Sequence, residues 1–354
     1  MKNWMRALFC VVLLLGLTTP AFAQLSDSEQ PGSVLVFHKF VRGTFNDAGT
    51  SGQAVHAVTE FEISAVCPAG ATCHQDRVRL RAHWVCPGCT EVSFNLETTV
   101  GGTVYFNPEG VTVIGDVVTA SVFPSNATTT IPQPGCPRGY LIVWATDDAG
   151  NAIKFDGLIG DAVIRDQPGD LQEGARSYNA IPIQAAASLP TGAFTDKNFD
   201  GSLDFNGAEY QLITGKIYGT VRYEKAAFPD RVETNLTLLT LDVASNLTNP
   251  ATTVGFNFYT ANEQFVDGAT SFFCWTDQRL TTILPTLTTA TMGRKGLVES
   301  TYAVQQPDLF TIKPVTLLGI VETKEFGLFG GIQTRDYSYS LYHDRKPVAT
   351  TFKP

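Results

Sequence analysis

Apolar and polar residues alternate with a period of two along much of the chain. In "VRLRAHWVC", Val78, Leu80, Ala82, Trp84 and Cys86 share one face, and Arg79, Arg81 and His83 share the other. Phe61, Ile63 and Ala65 alternate with Glu60, Glu62 and Ser64, while Val92, Phe94 and Leu96 alternate with Ser93, Asn95 and Glu97. Ile217, Val221 and Tyr223 alternate in the same way with Tyr218, Thr220, Arg222 and Glu224. Successive side chains of a strand point to opposite faces, so this pattern predicts strands with one dry and one wet face, the units of antiparallel sheets. No long stretch keeps a helical period without a Pro or Gly interrupting it. Trp84, Phe94, Phe256 and Phe258 fall on the inward faces and are the expected core. His83, on a polar face, and His38, in the first strand, are expected at the surface.

The two halves resemble each other. "TEFEIS" at Thr59 matches "TNLTLL" at Thr234, "VRLRAHW" from Val78 matches "VGFNFYT" from Val254, and "SFNL" from Ser93 matches "SFFC" from Ser271. "GYLIVWATDDAGNAIKFDGLIG" from Gly139 then matches "GLVESTYAVQQPDLFTIKPVTLLG" from Gly296, with similar spacing throughout. Self-similarity in common order points to a repeated unit. The expected fold class is all-β: two tandem immunoglobulin-like antiparallel β-sandwich domains derived by internal duplication, at residues 32–188 and 210–354, with a single long sandwich or an up-and-down barrel as the alternative. The Pro-, Gly- and Asp-rich segment 189–209 is the expected junction loop.

The first residues, "MKNWMRALFCVVLLLGLTTPAFAQ", change the picture of where the chain works. Lys2 and Arg6 precede an apolar run from Ala7 to Leu17 and a small-residue site at Ala21–Ala23, the pattern of a signal peptide over residues 1–23. The run is short of the roughly 20 residues that span a bilayer, so no membrane span is expected in the mature chain. The formal net charge is −9 and becomes more negative once Lys2 and Arg6 are removed. That balance argues against nucleic acid or an anionic membrane surface as partner. A charged content of 17% with ordinary apolar content fits a folded chain.

"GSVLVFHKF" near the mature start, "GYLIVWATD" followed by "LIGDAVI", and "FYTANEQF" followed by "FFCW" carry a resemblance to a group of exported bacterial β-sandwich proteins of no established activity. The resemblance implies export and a sandwich fold, and it brings no catalytic residues.

Cys10 leaves with the leader, and six cysteines remain: Cys67, Cys73, Cys86, Cys89, Cys136 and Cys274. An even number in an exported chain favours disulfides. Cys67 with Cys73 closes the tip between two strands, Cys86 or Cys89 reaches Cys136, and Cys274 either crosses from the second half or stays a buried thiol. Two alternatives stand beside this. Cys67, Cys73, Cys86 and Cys89, with His74 as a substitute, could hold zinc. Cys86 and Cys89 in "VCPGC" could be a redox pair, although such pairs usually open a helix and this one lies between strands.

The sharpest local signal is "TDKNFDGSLDFNGAE", Thr195 to Glu209. Asp196, Asn198, Asp200, the Ser202 carbonyl and Asp204 occupy the first nine positions of a calcium loop, with Gly201 at the sharp bend. Position 12 is Gly207, Glu209 arrives two residues late, and the flanking sequence is β-like, so this is not a helix-flanked calcium hand. A looser loop can still bind Ca²⁺ weakly, at about 10⁻⁴ to 10⁻³ M. Asp200-Gly201 and Asn206-Gly207 also read as ordinary turn dipeptides.

Catalytic candidates are thin. The five histidines form no metalloprotease motif, and no Gly-x-Ser-x-Gly elbow occurs. Asp147-Asp148 sits in the turn "DDAGN". The "RDYSYSLYHD" run suits an outer strand and weakly a carbohydrate-stacking surface. The expectation is therefore an exported, non-catalytic structural or binding module of the periplasm or cell surface. Its expected partner is a surface protein or polysaccharide, with self-association through edge strands as a further route. A secreted polysaccharide-acting hydrolase is the alternative.

Overall fold

The computed structural model describes residues 29–46, 54–73, 76–110, 131–167, 174–226, 231–244, 249–308, 310–326, 333–343 and 347–354. The expected leader at residues 1–23, Cys10 and His74 lie outside them. The first half contributes β1 (Val34–Asn46), β2 (Ala54–Ala65), β3 (Arg77–Val85), β4 (Glu91–Thr99), β5 (Thr103–Phe106), β6 (Arg138–Thr146), β7 (Leu158–Gln167), β8 (Gly174–Asn179) and β9 (Ile181–Ile183). The junction adds β10 (Leu203–Phe205) and β11 (Ile213–Thr214). The second half continues with β12 (Ile217–Arg222), β13 (Arg231–Leu239), β14 (Val243–Ala244), β15 (Thr252–Tyr259), β16 (Phe265–Phe272) and β17 (Trp275–Arg279). After two short helices, α1 (Leu280–Ile283) and α2 (Thr289–Met292), come β18 (Lys295–Gln305), β19 (Lys313–Pro314), β20 (Leu318–Phe326) and β21 (Gln333–Ser340). β22 (Tyr342–His343), β23 (Pro347–Val348) and β24 (Thr350–Lys353) end the chain. The protein is all-β, as the alternation predicts.

β1 serves two sheets. Residues 34–41 pair with β6, the first three of them also with β9, and residues 42–46 pair with β2. The register breaks between Phe37 and Phe40, which lets the strand bend from one layer to the other. The order β4-β3-β6-β1 therefore continues into β2-β7-β8, with β5 on β2. In the second half β16-β15-β18-β12 forms one sheet and β17-β13-β20-β21 another. The ladders are antiparallel except where β14 runs parallel to β24.

Glycine recurs at a matching place in each half. A Cβ on Gly139, in β6, would lie 2.1 Å from the Val85 carbonyl and 2.8 Å from the Phe40 ring. A Cβ on Gly296, in β18, would collide with the Tyr259 carbonyl and lie 2.6 Å from the Tyr223 ring. In both halves an aromatic ring presses on the strand where only hydrogen fits.

Each half has a core of its own. Trp84, Phe94 and Phe61 are buried in the first, and Phe256 and Phe258 in the second. A third core joins the halves, with Val34, Val36, Tyr140, Ile142 and Trp144 packed among Leu239, Leu241, Trp275, Leu318 and Phe352. This explains the unbroken apolar runs "VLVF" and "YLIVWA". β1 and β6 face their own core with Leu35, Phe37, Leu141 and Val143, and the shared core with the residues between. Strands covered on both faces need no polar alternation.

The shared core also corrects the surface reading of two histidines. His38 is fully buried, and His83 is 3% exposed. His83 stacks on Trp144 with ring centroids 4.8 Å apart, and its Nδ1 lies 2.9 Å from Glu91 Oε2. Of the face read as wet from β3 alone, Arg79 and Arg81 stay half-buried, while His83 is covered by Trp144 of its own sheet and by Phe352 of the last strand. Nor is the segment 189–209 a free tether. β10 pairs with the last strand, β24, which lies beside β14.

Candidate functional sites at the junction of the halves

The junction loop is held by its own side chains. Asp196 Oδ2 accepts the Gly201 N–H at 2.9 Å, and Asp200 Oδ1 accepts the Ser202 N–H at 2.9 Å. Asn198 Nδ2 donates to Asp204 Oδ2 at 3.3 Å. Phe199 and Gly201 adopt left-handed backbone, with φ of 56° and 77°, which folds the chain sharply between Asn198 and Ser202. The loop is tied to the C-terminal strand, because Thr351 Oγ1 donates to Asp204 Oδ1 and Lys353 Nζ lies 3.6 Å from Asp200 Oδ2. Among the described residues, no three His, Cys, Asp or Glu side chains converge as a metal's ligands do. Asp196, Asn198, Asp200, Ser202 and Asp204 are thus brought into one loop, with their oxygens turned mainly toward local donors. Glu209, two residues past the expected ligand position, also belongs to this loop. Its Oε1 accepts the Lys197 N–H at 3.0 Å.

The cysteines form three pairs. Cys67–Cys73, Cys86–Cys136 and Cys89–Cys274 have Cα separations of 5.8, 5.9 and 5.4 Å. The first closes the strand tip as expected, and the third crosses between the halves. Cys86 and Cys89 have different partners, so "VCPGC" is neither a redox pair nor half of a zinc site. Cys89, at φ 64°, turns its side chain out of the bend toward the second half.

Above the shared core, charged side chains from both halves meet around a cavity of about 350 Å³. Lys39 Nζ lies 2.8 Å from Asp277 Oδ2 and 2.6 Å from Glu322 Oε2, with all three side chains almost fully buried. Arg176 holds Asp166 through two nitrogens, at 2.6 and 3.1 Å, and places Nε 2.6 Å from Glu322 Oε1. Lys324 adds a contact of 3.2 Å to Asp166. Burial pushes the Glu322 carboxyl up, but Arg176, Lys39 and Lys324 outweigh it and hold the group well below the usual carboxylate range. Asp166 is lowered in the same way, burial being outweighed by Lys324 and Arg176. The Trp275 Nε1–H donates to the His38 carbonyl at 2.8 Å, a further tie between halves. Sequence reading misses this network because its members lie up to 283 residues apart.

A second hollow, of about 340 Å³, opens beside β7 and β8 and is lined by Glu29, Glu62, Asp161 and Asn179. Glu62 and Asp161 face each other across adjacent strands. Burial and the Glu62 charge raise the Asp161 carboxyl above its ordinary value.

The outer face of β12-β18-β15-β16 carries aromatics in the open. Phe265 is 56% and Tyr302 46% exposed. Tyr259 and Phe265 rings meet at 5.5 Å. The Tyr302 ring lies over Gly255, where a Cβ would come within 2.4 Å of it, so the absence of a side chain there makes room for the ring. Asn257, Asp267 and Glu299 stand in one cross-strand row of that sheet, and the Tyr259 hydroxyl donates to Glu299 Oε2 at 3.2 Å. The "RDYSYSLYHD" run falls on β21 and β22, where the described features are the backbone pairings alone.

No family model matches the chain, and no curated protein matches it. Among solved structures, viral chemokine binding protein R17 of rodent gammaherpesvirus Peru aligns over 87% of this chain and 89% of its own, at 10% identity and a TM-score of 0.13. At that score no likeness of fold follows. Among the described residues no helix is long and apolar enough to cross a membrane.

Proposed function

We propose that the protein is an exported, non-catalytic binding module of the periplasm or cell surface, with polysaccharide as its partner. Export is supported by the leader-like start and by three disulfides, which persist in oxidising compartments. Export and a sandwich fold are also what the resemblance to exported bacterial β-sandwich proteins implies. Origin by duplication of one immunoglobulin-like sandwich is supported by the parallel strand orders and by the matched positions of Gly139 and Gly296.

The observation that carries the binding reading is the open aromatic face of β12-β18-β15-β16. A pyranose ring offers a flat C–H face and a rim of hydroxyls. The exposed ring of Tyr302, over Gly255, matches the first, and Asn257, Asp267 and Glu299 match the second. Tyrosine and phenylalanine supply such contact with little rotamer entropy to lose. The shared core, the Cys89–Cys274 bridge and the buried ion pairs hold this face in a fixed relation to the first half. A Ca²⁺ ion at Asp196, Asn198, Asp200, Ser202 and Asp204 would stiffen the junction in addition.

Retention of the mature protein on insoluble cellulose, chitin and peptidoglycan tests the reading. We expect retention on at least one of these, with no new reducing ends, and its loss in Tyr302→Ala/Phe265→Ala and in Gly255→Ala. Absence of retention on any of the three would remove polysaccharide as the partner. The alternative, a polysaccharide-acting hydrolase, draws on the facing Glu62 and Asp161, one of them raised as a general acid requires. Release of reducing ends abolished by Asp161→Asn would establish it in place of the binding module.

A further inference from the structure

The junction loop lacks an acid at the twelfth position, where a helix-flanked calcium hand has its bidentate ligand. The structure supplies one by a different path. The Tyr210 N–H donates to the Asp204 carbonyl at 3.1 Å, and the Gly207 N–H donates to the Tyr210 carbonyl at 2.7 Å. Asn206 Oδ1 caps this turn by accepting the N–H groups of Ala208 and Glu209 at 2.7 and 3.0 Å. Gly207, at φ 81°, makes the reversal possible. The chain therefore doubles back, and Glu209 returns to the start of the loop. Its Oε1 accepts the Lys197 N–H at 3.0 Å, which ties the carboxylate to the backbone at the start of the loop.

Two carboxylate oxygens in this loop have no donor. Glu209 is 3% exposed, and its Oε2 is buried without a hydrogen-bond partner. Asp196 Oδ1 is likewise buried and without one. A buried acceptor without a donor is costly, and each such group in a native structure calls for an explanation. The nearby ammonium groups are engaged elsewhere, Lys197 Nζ with the Ala208 carbonyl and Lys353 Nζ with Asp200.

We infer that Glu209 is the closing ligand of a Ca²⁺ site at Asp196, Asn198, Asp200, the Ser202 carbonyl and Asp204; the two donorless oxygens, of Glu209 and Asp196, are its nucleus, and the other side chains, now turned to local donors, would re-aim onto the ion. The inference rests on the reading of the junction loop as a cation site and adds to it the missing acid. The donors are all oxygen, which suits a hard cation, and a loop assembled from a reversed turn suits the flexible geometry of Ca²⁺ better than the strict octahedron of Mg²⁺. Because Asp204 and Asp200 also contact Thr351 and Lys353, the ion would tie the junction to the last strand.

The test is calorimetric titration of the disulfide-intact mature chain with CaCl₂ after chelation, with MgCl₂ in parallel, beside thermal melts in EDTA and in millimolar Ca²⁺. The variants are Glu209→Gln and Asp200→Ala. We expect wild-type binding at about 10⁻⁴ to 10⁻³ M or tighter, with Mg²⁺ weaker. Glu209→Gln should weaken Ca²⁺ at least tenfold, yet melt in EDTA at or above wild type, because a buried charge without a donor has been removed. That crossing of effects distinguishes a ligand from a merely structural residue. Unchanged Ca²⁺ affinity in Glu209→Gln would overturn the role of Glu209 while leaving the loop as a cation site. No heat and no melt shift in the wild type would overturn both. Should Glu209→Gln fail to fold, Glu209→Asp, which keeps the charge and shortens the arm, is read by Ca²⁺ affinity alone: a tenfold loss is again expected, and an unchanged affinity again overturns the role of Glu209.

Discussion

Replacing Lys39 by Met removes the ammonium shared by Asp277 and Glu322 while keeping a stem of similar length. Lys39 lies 2.8 and 2.6 Å from these carboxylates, and all three side chains are nearly fully buried. At an effective dielectric of 20, each contact has a gross Coulomb energy of about 6 kcal/mol, most of it offset by the desolvation of the ions. Removing one partner of a buried pair typically costs about 3–5 kcal/mol, because the other charge is left uncompensated. Glu322 keeps Arg176, and Asp277 keeps bonds from Asn235 and Thr237 at 3.2 and 3.0 Å, so the lower end, about 3 kcal/mol, is expected. Urea unfolding at neutral pH, with Arg165→Met at the more exposed Glu60 pair as control, measures it. The folded state holds Glu322 and Asp166 below their ordinary values. Their stabilisation is therefore complete above the unfolded carboxylate values, about 3.9–4.3, and is lost as pH falls through the folded values. The gap between wild type and Lys39→Met should accordingly narrow below about pH 4. A loss under about 1 kcal/mol at neutral pH, the size of an exposed pair, would refute the argument that this network joins the halves.

Two further outcomes follow from the same structure. The Cys89–Cys274 bridge spans 185 residues and Cys67–Cys73 spans 6, so loop-closure entropy makes the first worth about 5 kcal/mol and the second about 2 kcal/mol. Paired Cys→Ala variants compared by denaturant unfolding check that order, which equal losses would contradict. Burial lowers His83, with the Glu91 contact offsetting only part of the effect, so the unfolded chain binds the proton more readily. Stability should thus fall as pH drops from about 6.5 through the folded value of His83, and His83→Asn should flatten that slope in melts between pH 8 and 5.

The strand alternation in "VRLRAHWVC" and the Phe61 and Phe94 segments is a local property of the backbone, and it made the all-β class and the inward Trp84 and Phe94 readable from the sequence. The same holds for the Asp196–Asp204 loop, whose residues are neighbours in the chain, and for the short Cys67–Cys73 loop. What the alternation does not encode is what covers the second face of a sheet. His83 looks wet from β3 alone and is buried because Trp144 and Phe352 lie over it. The return of Glu209 to Lys197 depends on a turn whose hydrogen bonds no spacing rule contains. The Lys39–Glu322 pair and the Cys89–Cys274 bridge join residues that meet only when the two halves pack. The sequence by itself determined the strands, the local loops and the chemistry available; packing of one half on the other decided which charges were buried and which were paired. Local periodicity reports one element at a time, whereas burial and pairing are properties of surfaces brought together from distant parts of the chain.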